Sequence, residues 1–452
     1  MKTPRSPLAL WFPFFAAALL PAQVGTITEE RVRDTVTWLA ADERGGRDTP
    51  SPGLEAAAQW LAARFAAAGC KQVVKDTWFH DYTLPGLRVD SGAITLKLIR
   101  QVQKDEKAFE LQPDRDVRIW RASDAVSGIL EAATVAQVGD PVLQQLLSAQ
   151  SGRRPLVIEV PEDHAWWIEA AGARDVLGAR RAASRPIFLL RTGILPAAPT
   201  DGSEAMWAAT WTTPAAEKVD IPLKNVVALL PGTSKRDEYV VVSAHYDHIG
   251  TANAIGGDTI NNGADDDASG TTAVVLIAEA MAKEPPLARS VLFVCFSGEE
   301  KRLRGSAAFA ERPPVPREQI VANINIEMIG RPEAGKQGKA WITGNDLSDF
   351  AAIAAGALSK SGIEVIDFKL AAQLFTGSDN YSFARHGIVA HSISAGSLHA
   401  DYHRPSDEAA KLDIPHMTKI VRGLYDTVRE FADRDGRPEW NAKGKERLAK
   451  ER

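Results

Sequence analysis

Six consecutive apolar residues, Val291–Phe296, form the clearest hydrophobic block in the chain. So short a run, closed by Ser297 and Gly298, predicts a strand buried on both faces. Asn225–Leu230, Tyr239–Val242, Ile320–Ile326 and Ile388–Ile393 are further strand candidates. Around them the apolar spacing becomes helical, over Ser269–Lys283, Leu303–Ala310, Asp346–Lys360 and Ile414–Asp433. Strands alternating with helices predict an α/β fold. Upstream, Ile27–Leu39 starts at Thr28 before Glu29 and Glu30, and Gly53–Ala68 is Ala-rich with Leu54, Trp60, Leu61 and Phe65 as apolar anchors. Both predict helices, joined by a Gly- and Pro-rich loop. Thr77–Ile99 is strand-like.

Between residues 113 and 216 the texture changes. Short strand candidates, Pro155–Val160 and Pro186–Leu190, stand among Ala/Arg-rich helical pieces without a cluster of ligand-type residues. His164, beside Trp166 and Trp167, reads as a packing histidine. This stretch predicts a smaller subdomain, 113–216, inserted between an N-terminal part of the main domain, 24–112, and its larger part, 217–434. The tail, 435–452, is charged and poor in apolar residues, and is expected to fray.

Composition narrows the classes. The chain has 452 residues, 45% hydrophobic and 25% charged, as ordinary globular proteins do. A formal net charge of −5 gives no reason to expect nucleic acid as a partner. At the start, Lys2 and Arg5 precede the apolar run Leu8–Leu20, and Pro21-Ala22-Gln23 follows. That order predicts a signal peptide over residues 1–23 and a secreted or periplasmic protein, with no stable membrane insertion after cleavage. Cys70 and Cys295 are the two cysteines; they are expected to be buried free thiols.

Five segments concentrate chemistry at predicted strand ends and loops. His245 and Asp247 lie in SAHYDHIG, and a carboxylate beside a histidine is the usual way to orient a metal-bound imidazole. NNGADDDASG brings three aspartates to the start of a helix, more than a cap needs. Glu299 and Glu300 follow the strand Val291–Phe296 directly, where like charges repel unless a cation intervenes. Glu327 ends the apolar strand in NINIEMIG, and SLHADYHRPSD carries His399 and His403. Each segment alone reads equally as a polar turn. Together they offer two histidines and three carboxylates, with a glutamate to spare. Such an N/O set suits zinc, with manganese or cobalt as substitutes. Two tetrahedral ions sharing one carboxylate would acidify a bridging water, and the spare glutamate would serve as general base.

The order and wording of these segments resemble one family, the secreted co-catalytic zinc exopeptidases of the bacterial leucyl aminopeptidase and glutamate carboxypeptidase II type. The resemblance covers residues 239–407 and extends loosely to LAADERGGRDTPSPG at the front. It implies a three-layer sandwich with a mixed, mostly parallel central sheet flanked by helices, plus an inserted module that is protease-associated in many members. It implies two Zn2+ held by His245, Asp266, Glu300, Glu327 and His403, with Asp266 bridging and the Asp266–Asp267 peptide cis. Asp247 would orient His245, Glu299 would be the general base, and Tyr402 would help hold the oxyanion. Glu327 departs from the Asp common among aminopeptidases. His248, His386, His391 and His399 are expected to be packing or supporting residues. The implied activity is aminopeptidase cleavage of peptides or small proteins. A carboxypeptidase or dipeptidase is the runner-up, followed by a single-zinc glutaminyl cyclase and a non-catalytic binding protein.

Overall fold

The structure, a computed structural model, describes residues 23–121, 127–130, 134–137, 154–162, 174–177, 185–196, 199–201, 203–214, 217–255 and 258–450. The leader-like residues before Gln23, and His164 with its neighbouring tryptophans, lie outside the described residues.

A nine-stranded mixed sheet forms the centre of the described chain. Its heart is four parallel strands in the order Ala390–Ser394, Ile320–Ile326, Lys235–His245 and Arg289–Phe296. Ile320–Ile326 and Arg289–Phe296 are buried at every position, as continuous apolar runs require when helices cover both faces. Glu217–Leu230 and Phe79–Val89 extend the sheet antiparallel on one side, and Lys339–Ile342 does so on the other. The parallel strands all end on the same edge, where an open α/β sheet builds its sites.

Helices complete three layers. Glu29–Leu39, Pro52–Ala68, Gly270–Met281 and Ile414–Asp433 pack together on one face, and Arg304–Glu311 with Asn380–Ala384 cover the other. Their ends follow local chemistry. Thr28 and Ser51 cap the first two helices by accepting the amides of Arg31 and Leu54, and Gly69 closes the second at φ +88°. Met417, Ile420, Val421, Leu424, Val428 and Phe431 form the buried stripe of the long helix.

A second region stands apart from this sheet. Asp105–Leu111, Thr95–Val102, Ala205–Thr212 and Ser127–Leu130 form one four-stranded sheet, and Val117–Arg121, Ile187–Leu190, Leu156–Glu159 and Thr134–Gln137 form another. Leu96, Leu98, Val117, Val157, Phe188 and Trp211 share its core. Residues 95–111, read from the sequence with the N-terminal part of the main domain, therefore pair with 205–212 instead; alternation alone does not say which sheet a strand joins. The tail corrects a second expectation. It does not fray: Ala442–Lys450 is a helix, with Leu448 and Trp440 buried and the Trp440 indole donating to Gly387 O. Cys70 and Cys295 are free and buried. No described helix is long and apolar enough to cross a membrane.

Candidate metal centre

Three of the parallel strands deliver the site. His245 is the last residue of Lys235–His245, Glu299 and Glu300 follow Arg289–Phe296, and Glu327 follows Ile320–Ile326. Asp266 arrives from the loop before Gly270–Met281, and its peptide bond to Asp267 is cis. His403 comes from a turn, at φ +57°.

Two donor groups meet at Asp266. On one side, His245 Nε2 lies 3.2 Å from Asp266 Oδ1 and 3.3 Å from Glu327 Oε1. On the other, His403 Nε2 lies 3.1 Å from Asp266 Oδ2 and 3.4 Å from Glu300 Oε1. Asp266 thus presents one oxygen to each group. Asp267 is close to the first group as well. Its carboxylate is occupied by backbone, however, accepting the amides of Gly270 at 3.0 Å and Met328 at 3.1 Å.

The donor set fits divalent metal on its own chemistry. Asp266 Oδ2 and Glu300 Oε1 are buried without a hydrogen bond among the described residues, and so are both ring nitrogens of His248. Leaving such atoms unpartnered costs about 1–3 kcal/mol each. A cation among them removes that cost. Electrostatics reads the same way. Burial opposes charge on His245, but Glu327, Glu299, Asp247 and Asp266 hold its imidazole well above the usual histidine range. Burial also works against the Asp266 carboxylate, yet His245, His403 and His248 hold it well below its ordinary value. Glu299, facing the cavity, is pushed well above the carboxylate range by its enclosure, with Asp379, Glu327 and Glu300 adding to that against His245.

The supporting residues come from distant parts of the chain. Asp247 meets the His245 ring chiefly through its backbone. His245 Nδ1 is 3.1 Å from the Asp247 carbonyl oxygen and 3.6 Å from its carboxylate. That carboxylate also accepts from Thr49 Oγ1 at 2.8 Å and from the Glu299 amide at 3.2 Å, and so fixes the Glu299 backbone. The buried Arg47 guanidinium donates to the carbonyls of Leu39, Tyr246, Asn262 and Gly263, tying the front loop to both metal-site loops. Asp407 accepts the amides of Asp265 and Asp266.

Glu327 is held from beneath. Ser378 Oγ donates to Glu327 Oε2 at 2.6 Å, Asn325 Nδ2 donates to Ser378 Oγ, and Ser243 Oγ donates to Asn325 Oδ1. Sequence reasoning had no signal for Ser378, which lies 51 residues away from Glu327.

The other histidines separate. His391 is buried between Ser348 Oγ and Thr343 O, His399 lies 3.3 Å from Asp265 Oδ2, and His386 is exposed beyond Asn380–Ala384. His248, read as a packing or supporting residue, lies with its ring close to the carboxylates of Asp266 and Glu300. Tyr402 is 37% exposed and stacks on His403 at 3.9 Å between ring centres. It borders a cavity of about 70 Å3 whose walls include His245, Glu299, Glu327, Trp341, Leu374 and Leu398.

The three-layer α/β fold thus brings two adjoining His–carboxylate groups to the carboxyl ends of its parallel strands. Residues 225–428 match the model of Peptidase family M28. A probable zinc metalloprotease of Pyrenophora teres f. teres (strain 0-1) is 29% identical over 207 residues, 44% of this chain and 43% of that protein. A probable leucine aminopeptidase of Arthroderma otae is 26% identical over 233 residues, 48% of this chain and 60% of that one. The match to the Pyrenophora relative thus spans less than half of that protein's length. A zinc aminopeptidase from Bacillus subtilis shares the fold, with a TM-score of 0.54 at 14% identity over 90% of this chain and 96% of that one.

Proposed function

We propose that the protein is an exported di-zinc aminopeptidase. The observation that carries the reading is the sharing of Asp266 between two donor groups, with the unshared Glu299 carboxylate at the cavity wall beside them. One zinc would be held by His245, Asp266 and Glu327, the other by Asp266, Glu300 and His403. When bound, such ions supply Lewis acidity to a water and to the scissile carbonyl. Glu299 takes the proton of the attacking water and returns it to the departing amine. Enclosure makes its carboxyl an eager proton acceptor, and the Asp247 contact to its amide keeps it in place. Tyr402, exposed on the cavity wall, would serve as a hydroxyl donor for the carbonyl oxygen.

The cavity supports a preference at the cleaved residue. Met328, Trp341, Leu374 and Leu398 supply apolar walls, while Thr343, Ser392, Ser394 and Ser397 supply neutral hydroxyls. A small or medium uncharged side chain fits such a space. The leader-like residues 1–23 support export, which N-terminal sequencing of the mature protein checks.

Metal analysis with parallel assays on aminoacyl and N-blocked chromogenic substrates tests the reading. Two zinc per chain, cleavage of free-amine substrates alone, and loss of turnover in Glu299→Gln with zinc retained are expected. Activity confined to N-blocked peptides with a free carboxylate would make the protein a carboxypeptidase. Absence of metal and of turnover after zinc is supplied would overturn the enzyme reading.

A further inference from the structure

The two donor groups are not equivalent, and His248 is the reason. Its ring is fully buried, with Nδ1 2.9 Å from Glu300 Oε1 and 3.7 Å from Asp266 Oδ2. The space for it is made by Gly263, at φ +55°, where a Cβ would fall 2.4 Å from His248 Cγ. The ring meets that of His403 edge-on, 5.5 Å between centres, so the two imidazoles approach the carboxylates from different directions.

Zinc with N and O ligands at about 2.0–2.2 Å in tetrahedral geometry sets neighbouring donors roughly 3.3–3.6 Å apart. The four His–carboxylate separations, 2.9 and 3.7 Å for His248 and 3.1 and 3.4 Å for His403, straddle that edge length. Neither ring nitrogen of His248 has a hydrogen bond of sound geometry among the described residues, although Nδ1 lies 2.9 Å from Glu300 Oε1.

We propose that His248 is a fourth protein ligand to the second ion. Resting on the di-zinc reading, this would give the second ion four protein donors where the first has three, and so the tighter hold of the two. With three protein donors, an ion at His245, Asp266 and Glu327 would keep an open position, as catalytic sites do. The cavity agrees with this division: it is lined by His245, Asp266, Glu327 and Glu299, and not by His248, His403 or Glu300. Substrate entering this cavity would therefore meet the His245, Asp266 and Glu327 side, while the second ion would also fix the shared Asp266.

Stepwise Co2+ titration of the metal-free full-length protein tests this by visible absorption and competition with a chelator. In the wild type, the first equivalent is expected to bind tightly and give the intense bands of four-coordinate Co2+, ahead of a weaker second step. His248→Ala, checked for folding by circular dichroism, is expected to lose that spectrum. Its tight step should weaken by more than the roughly 100-fold that loss of an outer hydrogen bond costs. His248→Asn keeps a hydrogen-bond donor near the Nδ1 position but is a poor ligand, and should behave like His248→Ala. Two wild-type steps of equal affinity would overturn the assignment, as would a tight four-coordinate step retained in His248→Asn. Failure to bind any metal would instead overturn the peptidase reading beneath it.

Discussion

The two halves of the metal centre are built in different ways. His245 and Glu327 stand on adjacent parallel strands, and Glu327 is braced by Ser378, Asn325 and Ser243, all buried. The other half rests on loops. Glu300 is followed by Arg302 and Leu303, both at positive φ, and His403 also lies in the left-handed region. These conformations are costly for side-chain-bearing residues. The half that faces the cavity thus takes its geometry from sheet hydrogen bonding, which holds without metal. The half turned away would depend on a bound ion to cross-link its loops.

Asp266→Asn breaks the comparison most severely, because both halves use that carboxylate. Turnover should fall beyond detection, and elemental analysis should show both ions depleted. Glu299→Gln separates chemistry from metal holding. We expect kcat to fall by about 10²–10⁴-fold, the usual worth of general acid–base catalysis, with the metal content of both halves unchanged.

Chelation sharpens the contrast in rigidity. Hydrogen exchange after metal removal should accelerate strongly in residues 397–407 and little at the strand ends 243–245 and 323–326. Equal loss of protection in both would contradict a sheet-held first half. Ser378→Ala then probes the brace under Glu327. Outer partners of metal ligands are worth about 10–100-fold in affinity, so the weaker of two metal-binding steps should weaken by that amount while the tighter one stays.

The smallest effect concerns pH. Burial pushes the Asp379 carboxyl up to about 7. Its unfolded value is near 3.9, so the associated stability is complete below about pH 4 and is lost as pH rises through about 7. In metal-free protein, the wild-type melting temperature minus that of Asp379→Asn should therefore decline across that window. A flat difference would show Asp379 to be ionised throughout.

Much of this architecture is written in local pattern. Ile320–Ile326 and Ile414–Asp433 begin and end where the apolar periodicity places them, and Glu29–Leu39 starts after the Thr28 cap. The motifs at the strand ends carried the metal chemistry, since hydrophobic runs and the polar residues that stop them are neighbours in sequence. What was not legible depends on partners far along the chain. Residues 95–111 have the alternation of any half-buried strand, and the choice of sheet was made by Ala205–Thr212. The tail's charge hid Trp440 and Leu448, whose burial needs a receiving surface that composition does not describe.

The sequence by itself therefore determined the α/β class, the donor types and the strand ends that carry them, because periodicity and short motifs act through neighbouring residues. Tertiary structure alone decided that Ser378 supports Glu327, that the Asp247 carboxylate also holds the Glu299 amide, and that His248 turns toward Glu300. Those outcomes follow from where loops place a side chain's reach of a few ångströms, and a loop's path is fixed by everything packed around it.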